Sequence, residues 1–213
     1  SILWNYTPDC IVESSLECKI SDLGNIDGMS SEEFAFRFKN AFDIADIDIN
    51  RAVTHNKGIM NGVDAVLIST GNDFRAVEAG IHAFASRKGK YKSLSECTII
   101  DNIFKISLRI PLSVGTVGGI TDVHPMVKLS LKLLNSPTSD DLMKIICSVG
   151  LAQNFAAVKS LVTTGIQKGH MKMHLINLLI KQNATKDQID KSEEYFRDKE
   201  INSESVKDFL DQN

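Results

Sequence analysis

The apolar positions of this chain recur with two different periods, and each period marks its own kind of element. Phe34, Phe38, Ala41, Phe42 and Ala45 repeat at helical spacing after Ser30, with Glu33 placed to reach back to that serine. The pattern predicts a capped helix with one broad apolar face, its phenylalanines in the core. A second helix is predicted over 74–86, behind Asp73, where Ala76, Ala79, Gly80 and Ala83 would let another element approach closely. The period drops to two over 97–110. There Phe104, Ile106, Leu108 and Ile110 alternate with Lys105, Ser107 and Arg109, after Thr98-Ile99-Ile100 and the turn pair Asp101-Asn102. That is the signature of a β-hairpin with one dry and one wet face.

The remaining segments read more plainly. Residues 1–20 form extended chain broken at Pro8, with Ile11, Val12 and Leu16 pointing inward, and Ser1 to Trp4 resembling the inside of a strand. Residues 51–61 read as loop turning into helix, and 63–68 are apolar enough to be buried. Gly115, Gly118 and Gly119 make a flexible or closely packed connection. Helices are predicted over 124–134, from Thr138 with Asp140 and Asp141 in its first turn, and over 169–181. Acids at a helix start suit the dipole. Gly150 marks a break or a tight contact, and Gly165 a helix stop. Two short helices follow near 185–199 and 203–212. The fold class is α+β: a helix-rich body with a β-hairpin element and a small helical flap at the end.

Composition narrows the partners. A net charge of −3 supplies no basic field for nucleic acid. No apolar run reads as membrane-spanning and the start is not signal-like, so the expectation is a soluble, cytoplasmic protein. Residues 183–213 hold five Lys/Arg and nine Asp/Glu, a balance of −4 that leaves +1 for the rest. Cys10, Cys18, Cys97 and Cys147 form no CxxC pair, which favours reduced, incidental thiols over a disulfide framework or zinc site.

Candidate chemistry sits in three stretches. The first is His55-Asn56-Lys57-Gly58-Ile59-Met60-Asn61-Gly62, the second Gly71-Asn72-Asp73-Phe74-Arg75-Ala76, the third Gly165-Ile166-Gln167-Lys168-Gly169-His170-Met171. Singly, each has an ordinary reading: Lys57 a surface lysine, Asp73 a helix N-cap. His170 and His174 share a helix face but lack a third ligand, so no metal is expected. His55, His82 and His124 read as loop, helix and helix-start residues. Gln153-Asn154 is unusual polarity in an apolar helix, either an interhelical hydrogen bond or a substrate contact.

Taken together, the three stretches resemble 3-hydroxy-3-methylglutaryl-CoA reductase, in its class II bacterial and archaeal form. The resemblance implies that Lys57, Asp73 and His170 are catalytic, and that Arg51 and Asn61, with Gln153, bind substrate. It implies reduction of the thioester to mevalonate and CoA by two hydrides from NADH or NADPH, or the reverse. The lysine would polarise the carbonyl, the aspartate would sit beside it, and the histidine would protonate the departing thiolate. Asn5 matches a cofactor-contacting position. The family's catalytic glutamate and Asp-Ala-Met-Gly-x-Asn loop do not occur here, so the chain is expected to be a C-terminal half. By the same resemblance residues 1–20 close a small NAD(P)-binding domain, 21–168 belong to the large substrate-binding and dimerisation domain, and 169–213 form the flap. Expected partners are HMG-CoA, mevalonate, CoA, the missing N-terminal half and a second copy, with Ala76, Ala79 and Gly80 at the interface. A rival expectation is a non-catalytic module that binds CoA thioesters.

Overall fold

The computed structural model describes residues 1–163, 165–196, 199 and 201–212, with the backbone alone for 166–170, 172 and 193. It divides into two compact units, Ser1–Thr163 and Thr164–Asn213. The first unit is a three-stranded antiparallel sheet covered by helices, an α+β arrangement.

Its elements in chain order are β1 (Ile11–Lys19), α1 (Ser31–Ile47), α2 (Ile49–Ser69), α3 (Phe74–Ala85), β2 (Ser95–Ile100), β3 (Ile103–Pro111), α4 (Pro125–Leu133) and α5 (Ser139–Val162). Strand β3 lies between β1 and β2. The hairpin forms where the alternation places it: Ile99 pairs with Phe104, and Asp101 and Asn102 take positive φ of 50° and 61°. Two successive left-handed residues give the turn a twist matching the strands it joins. Phe104, Ile106, Leu108 and Ile110 are all buried on one face.

Helix α1 is held at its start by the Ser30 side chain, which accepts from the Glu33 N–H. Its phenylalanine stripe meets the sheet directly. Phe38 stacks on Phe42 and meets Phe104 edge-on, with ring centroids 5.1 and 5.4 Å away.

Residues 51–61 are helix throughout, not loop. Gly58, Asn56 and Asn61 and β-branched Val53, Thr54 and Ile59 give that segment poor intrinsic propensity. The Asp48 side chain caps the helix, accepting from the N–H groups of Asn50 and Arg51, and buried Ala52, Ile59, Met60, Val63 and Leu67 hold it to the core. Tertiary packing overrides propensity here.

Helices α2 and α5 cross antiparallel and close. A Cβ on Gly62 would lie 2.9 Å from the Val149 carbonyl oxygen, and one on Gly150 would lie 2.9 Å from Val63. Gly150 is therefore a tight contact inside α5 and not a break. By length and apolar composition α5 would suffice to cross a membrane, which corrects the expectation that no such run exists. Here its buried side (Leu142, Ile146, Cys147, Leu151, Val158) packs in the core of the first unit.

Residues 1–7 adopt no strand, and Ile2, Leu3 and Trp4 are largely exposed. Strand β1 pairs with β3 in the sheet of the first unit. Leu16 sits opposite Ile106 on the core side but is half exposed, because β1 is an edge strand.

The second unit carries α6 (Ile166–Lys181), α7 (Lys186–Tyr195) and α8 (Ser203–Gln212), and it begins at Thr164, ahead of the expected 169. Leu175, Leu179, Phe196, Val206 and Phe209 make its own small core.

The glycine crossing yields a stability prediction. Gly62→Ala must push a Cβ into backbone that cannot swing aside, and it should cost about 1–3 kcal/mol. Gly58→Ala meets only Ala157 at 3.6 Å and should be neutral or gain up to ~1 kcal/mol through helix propensity. Denaturant midpoints of the two variants, measured side by side, check the contrast.

Candidate functional site

Lys57 lies in the middle of α2, exposed to solvent, and makes no hydrogen bond or ion pair among the described residues. Asn61 follows one turn later on the same face and Asp64 two turns later, a spacing that aligns side chains along a helix. Behind this stripe α2 is fixed by buried polar groups. His55 Nε2 and Ser95 Oγ are 2.7 Å apart, and Ser95 Oγ donates to Asn154 Oδ1 at 2.9 Å. Asn154 Nδ2 lies 3.3 Å from the same imidazole nitrogen. Next to His55, Asn56 donates to the Lys92 carbonyl (2.9 Å) and accepts from the Leu94 N–H (3.0 Å). Three elements are thus tied together one residue before Lys57.

Burial, with the Arg51 charge nearby adding to it, pushes His55 down to about 3. The ring is 2% exposed and its Nδ1 finds no partner among the described residues. His55 is therefore a buried helix residue held neutral, not a loop histidine. His82 bonds to the Tyr91 hydroxyl at 2.8 Å. His124 is the N-cap position of α4, as expected.

Asp73 is the N-cap of α3, its carboxylate accepting from the Ala76 N–H at 3.2 Å and facing Arg75 at 3.8 Å. It is not beside Lys57 within one chain. Twelve residues of α2 separate Lys57 from Ser69, a rise of ~18 Å, and Asp73 comes after that helix has ended. The turn before it is anchored instead to the glycine segment after β3. The Asn72 side chain accepts from the Gly115 N–H at 2.8 Å and donates to the Gly115 carbonyl at 3.1 Å. Gly71, at φ 71°, has no room for a side chain: a Cβ would lie 2.8 Å from Ile120.

The other sequence candidates divide. Arg51 is half-buried in the first turn of α2, and burial lowers its pKa. Gln153 sits on α5 against Gly62, where a Cβ on that glycine would lie 3.0 Å from its own Cβ. Its neighbour Asn154 is the interhelical hydrogen-bonding residue of the pair. Asn5 touches a cavity of about 120 Å³ with Trp4, Thr7, Ala76, Val77, Gly80, Pro111 and Ser113. Gly80 faces the Asn5 carbonyl inside the chain, and Ala79 is exposed. The side chain of His170 lies outside the described residues. Among the described residues no group of three or more His, Cys, Asp or Glu could hold a metal ion. All four cysteines are free thiols, and burial pushes Cys97 and Cys147 up to about 12.

Asp64 escaped the sequence reading. Burial, with Glu78 adding to it and His82 opposing, raises its carboxyl to about 6, and its Oδ1 is buried without a partner among the described residues. The signal was present as i, i+7 spacing from Lys57, but only once 51–61 is read as helix.

An exposed lysine and an exposed amide thus share one face of a helix that buried hydrogen bonds hold from the other side. Comparison with known proteins sharpens this. The family model described as hydroxymethylglutaryl-coenzyme A reductase matches residues 1–175, and the chain belongs to that family. The reductase of Archaeoglobus fulgidus is 44% identical over 188 residues, 87% of this chain and 43% of that protein. A probable reductase of Borreliella burgdorferi is 47% identical over 129 residues, 61% of this chain and 30% of that one. Among solved structures, the Streptococcus pneumoniae reductase superposes with a TM-score of 0.73 at 42% identity, covering 99% of this chain and 51% of its own. A class II structure from the same organism, bound to NADPH in open conformations, gives 0.71 at 42% identity, covering 98% and 51%. The chain spans about half the length of these relatives or less.

The buried imidazole predicts acid sensitivity. His55 binds its proton less readily folded than unfolded, so its neutral form stabilises the fold above pH 6.5. Stability should fall as pH drops from 6.5 toward 3, by a few kcal/mol at most from this group. Chemical denaturation across that range checks it; a flat profile in wild type, unaltered in His55→Gln, contradicts it.

Proposed function

We propose that this chain supplies the lysine-bearing part of a hydroxymethylglutaryl-CoA reductase, acting in the cytoplasm together with the remainder of the family's length and a second copy. The observation that carries this reading is Lys57: an ammonium with no partner among the described residues, on a locked helix face beside Asn61, inside a family match covering residues 1–175. An exposed lysine held at a fixed azimuth can stabilise the oxyanion that forms when a thioester carbonyl is reduced. Asn61, one turn further along the same face, and Gln153, on α5 against Gly62, can hydrogen-bond the substrate's hydroxyl and carboxylate. Arg51, half-buried near the start of the same helix, offers a guanidinium suited to a carboxylate.

Asp73 lies too far from Lys57 in one chain to orient it directly. In this reading Asp73 works in a site completed between subunits, and His170 in the second unit supplies the proton for the CoA thiolate. NADH or NADPH would bring hydride when bound. The cavity at Asn5, about 120 Å³, is far below the few hundred Å³ that even a drug-sized ligand fills. These residues do not fit a whole dinucleotide, and the remainder of the site would come from the segment this chain lacks. No metal takes part in the proposed chemistry.

The test is reconstitution. The chain, mixed with a separately produced N-terminal half of a class II relative, should oxidise NAD(P)H in an HMG-CoA-dependent manner. Lys57→Ala should lower kcat by about 10²–10³-fold, with much less effect on substrate binding. A well-folded mixture that binds HMG-CoA yet never turns it over would favour the rival reading, a CoA-thioester-binding module.

A further inference from the structure

The two asparagines that immediately precede Lys57 and Asp73 do the same thing in different places. Asn56 is fully buried and grips backbone with both ends of its amide: Nδ2 donates to the Lys92 carbonyl and Oδ1 accepts from the Leu94 N–H. Asn72 grips Gly115 with both ends of its own, at 2.8 and 3.1 Å, while Nδ2 also reaches Thr70 Oγ1 at 3.1 Å. The gripped segments are the lead into β2 and the segment following β3. They are therefore the two segments that flank one β-hairpin at its open end, where Ser95 pairs with Leu108.

We infer that Asn56 and Asn72 are paired positioning residues, which tie the residues just before Lys57 and Asp73 to the two segments that flank the β2–β3 hairpin at its open end, and so fix the spacing between them. This rests on the reductase reading above for its catalytic meaning. A side-chain amide suits the task because it is donor and acceptor at once, and it can replace both halves of a missing backbone pair. The hairpin is a good strut because nine residue pairs join β3 to β1 and six join it to β2, which leaves little freedom to flex. Each amide acts one residue away from the side chain it positions. A slip at either clamp would rotate α2 or move the start of α3, and displacement by an ångström is enough to cost catalysis heavily.

Asn72 is the better residue to test, because it is only part-buried and its loss should leave the fold intact. Asn72→Ala in this chain alone should raise deuterium uptake at 113–119, the Gly115 amide above all, with the amides of β2 and β3 unchanged. In the reconstituted enzyme the same variant should lower kcat by about ten- to a hundredfold, with KM for HMG-CoA changed less than about threefold. Asn72→Asp keeps the acceptor for the Gly115 N–H and loses the donor, so it should fall between wild type and alanine in both measurements. Unchanged exchange at 113–119 overturns the clamp. Faster exchange with unchanged kcat overturns the positioning role, as does a loss confined to KM. A wild-type mixture without activity counts against the reductase reading itself, and exchange alone then decides the clamp.

Discussion

The structure depends on the rotational setting of α2. That helix has glycines and β-branched residues where helix formers would be expected, and alone it would be a poor helix. Its register is imposed from outside by two kinds of contact. Gly62 and Gly150 let α2 and α5 approach until backbone meets side chain and backbone. Alongside them His55, Ser95 and Asn154 satisfy one another, and Asn56 bonds the backbone of Lys92 and Leu94, in a setting where an unpaired polar group would cost more than its bond is worth. Apolar packing tolerates small rotations, whereas paired hydrogen bonds between three elements do not. The consequence is that the opposite face, with Lys57, Asn61 and Asp64, points one way only.

This division explains what the sequence made legible. The hairpin, α1 and α3 were readable because local signals and tertiary contacts agree: alternation with a left-handed turn pair, a serine cap with a phenylalanine stripe, an aspartate cap before an alanine-rich run. Residues 51–61 were misread because their helicity comes from neighbours that lie 40 to 100 positions away, Ser95 and Asn154 among them. Asp64 was missed for the same reason, since a residue cannot be placed on a face before its element is known. Leu16 failed differently. Its parity was right, but parity says nothing about whether an edge strand is covered.

The candidate site was legible as a set of residues and not as a geometry. Lys57 and Asp73 stand sixteen positions apart in a string characteristic of the family, which invites the picture of two neighbouring side chains. Helical rise contradicts it: a helix occupying most of that interval drives the two apart. Asp73 behaves locally as an N-cap that faces Arg75, and among the described residues no ion pair joins it to Lys57. Short sequence separation is a poor guide to distance whenever the intervening residues form a straight element.

The separation also bears on why both ends need anchoring. Two groups on one rigid body can be aimed by that body alone. A group in the middle of a long helix and one beyond its C-terminal end cannot, because a small change in helix tilt is magnified over the intervening length. Tying each group to a segment that flanks the β2–β3 hairpin reduces this lever, because the hairpin is bonded on both edges of β3. The asparagine amide carries donor and acceptor on separate atoms, so it can hold two backbone groups at once, just before the lysine and again just before the aspartate. The polar residues that look least chemical in these strings are therefore the ones that give the charged residues beside them a fixed place.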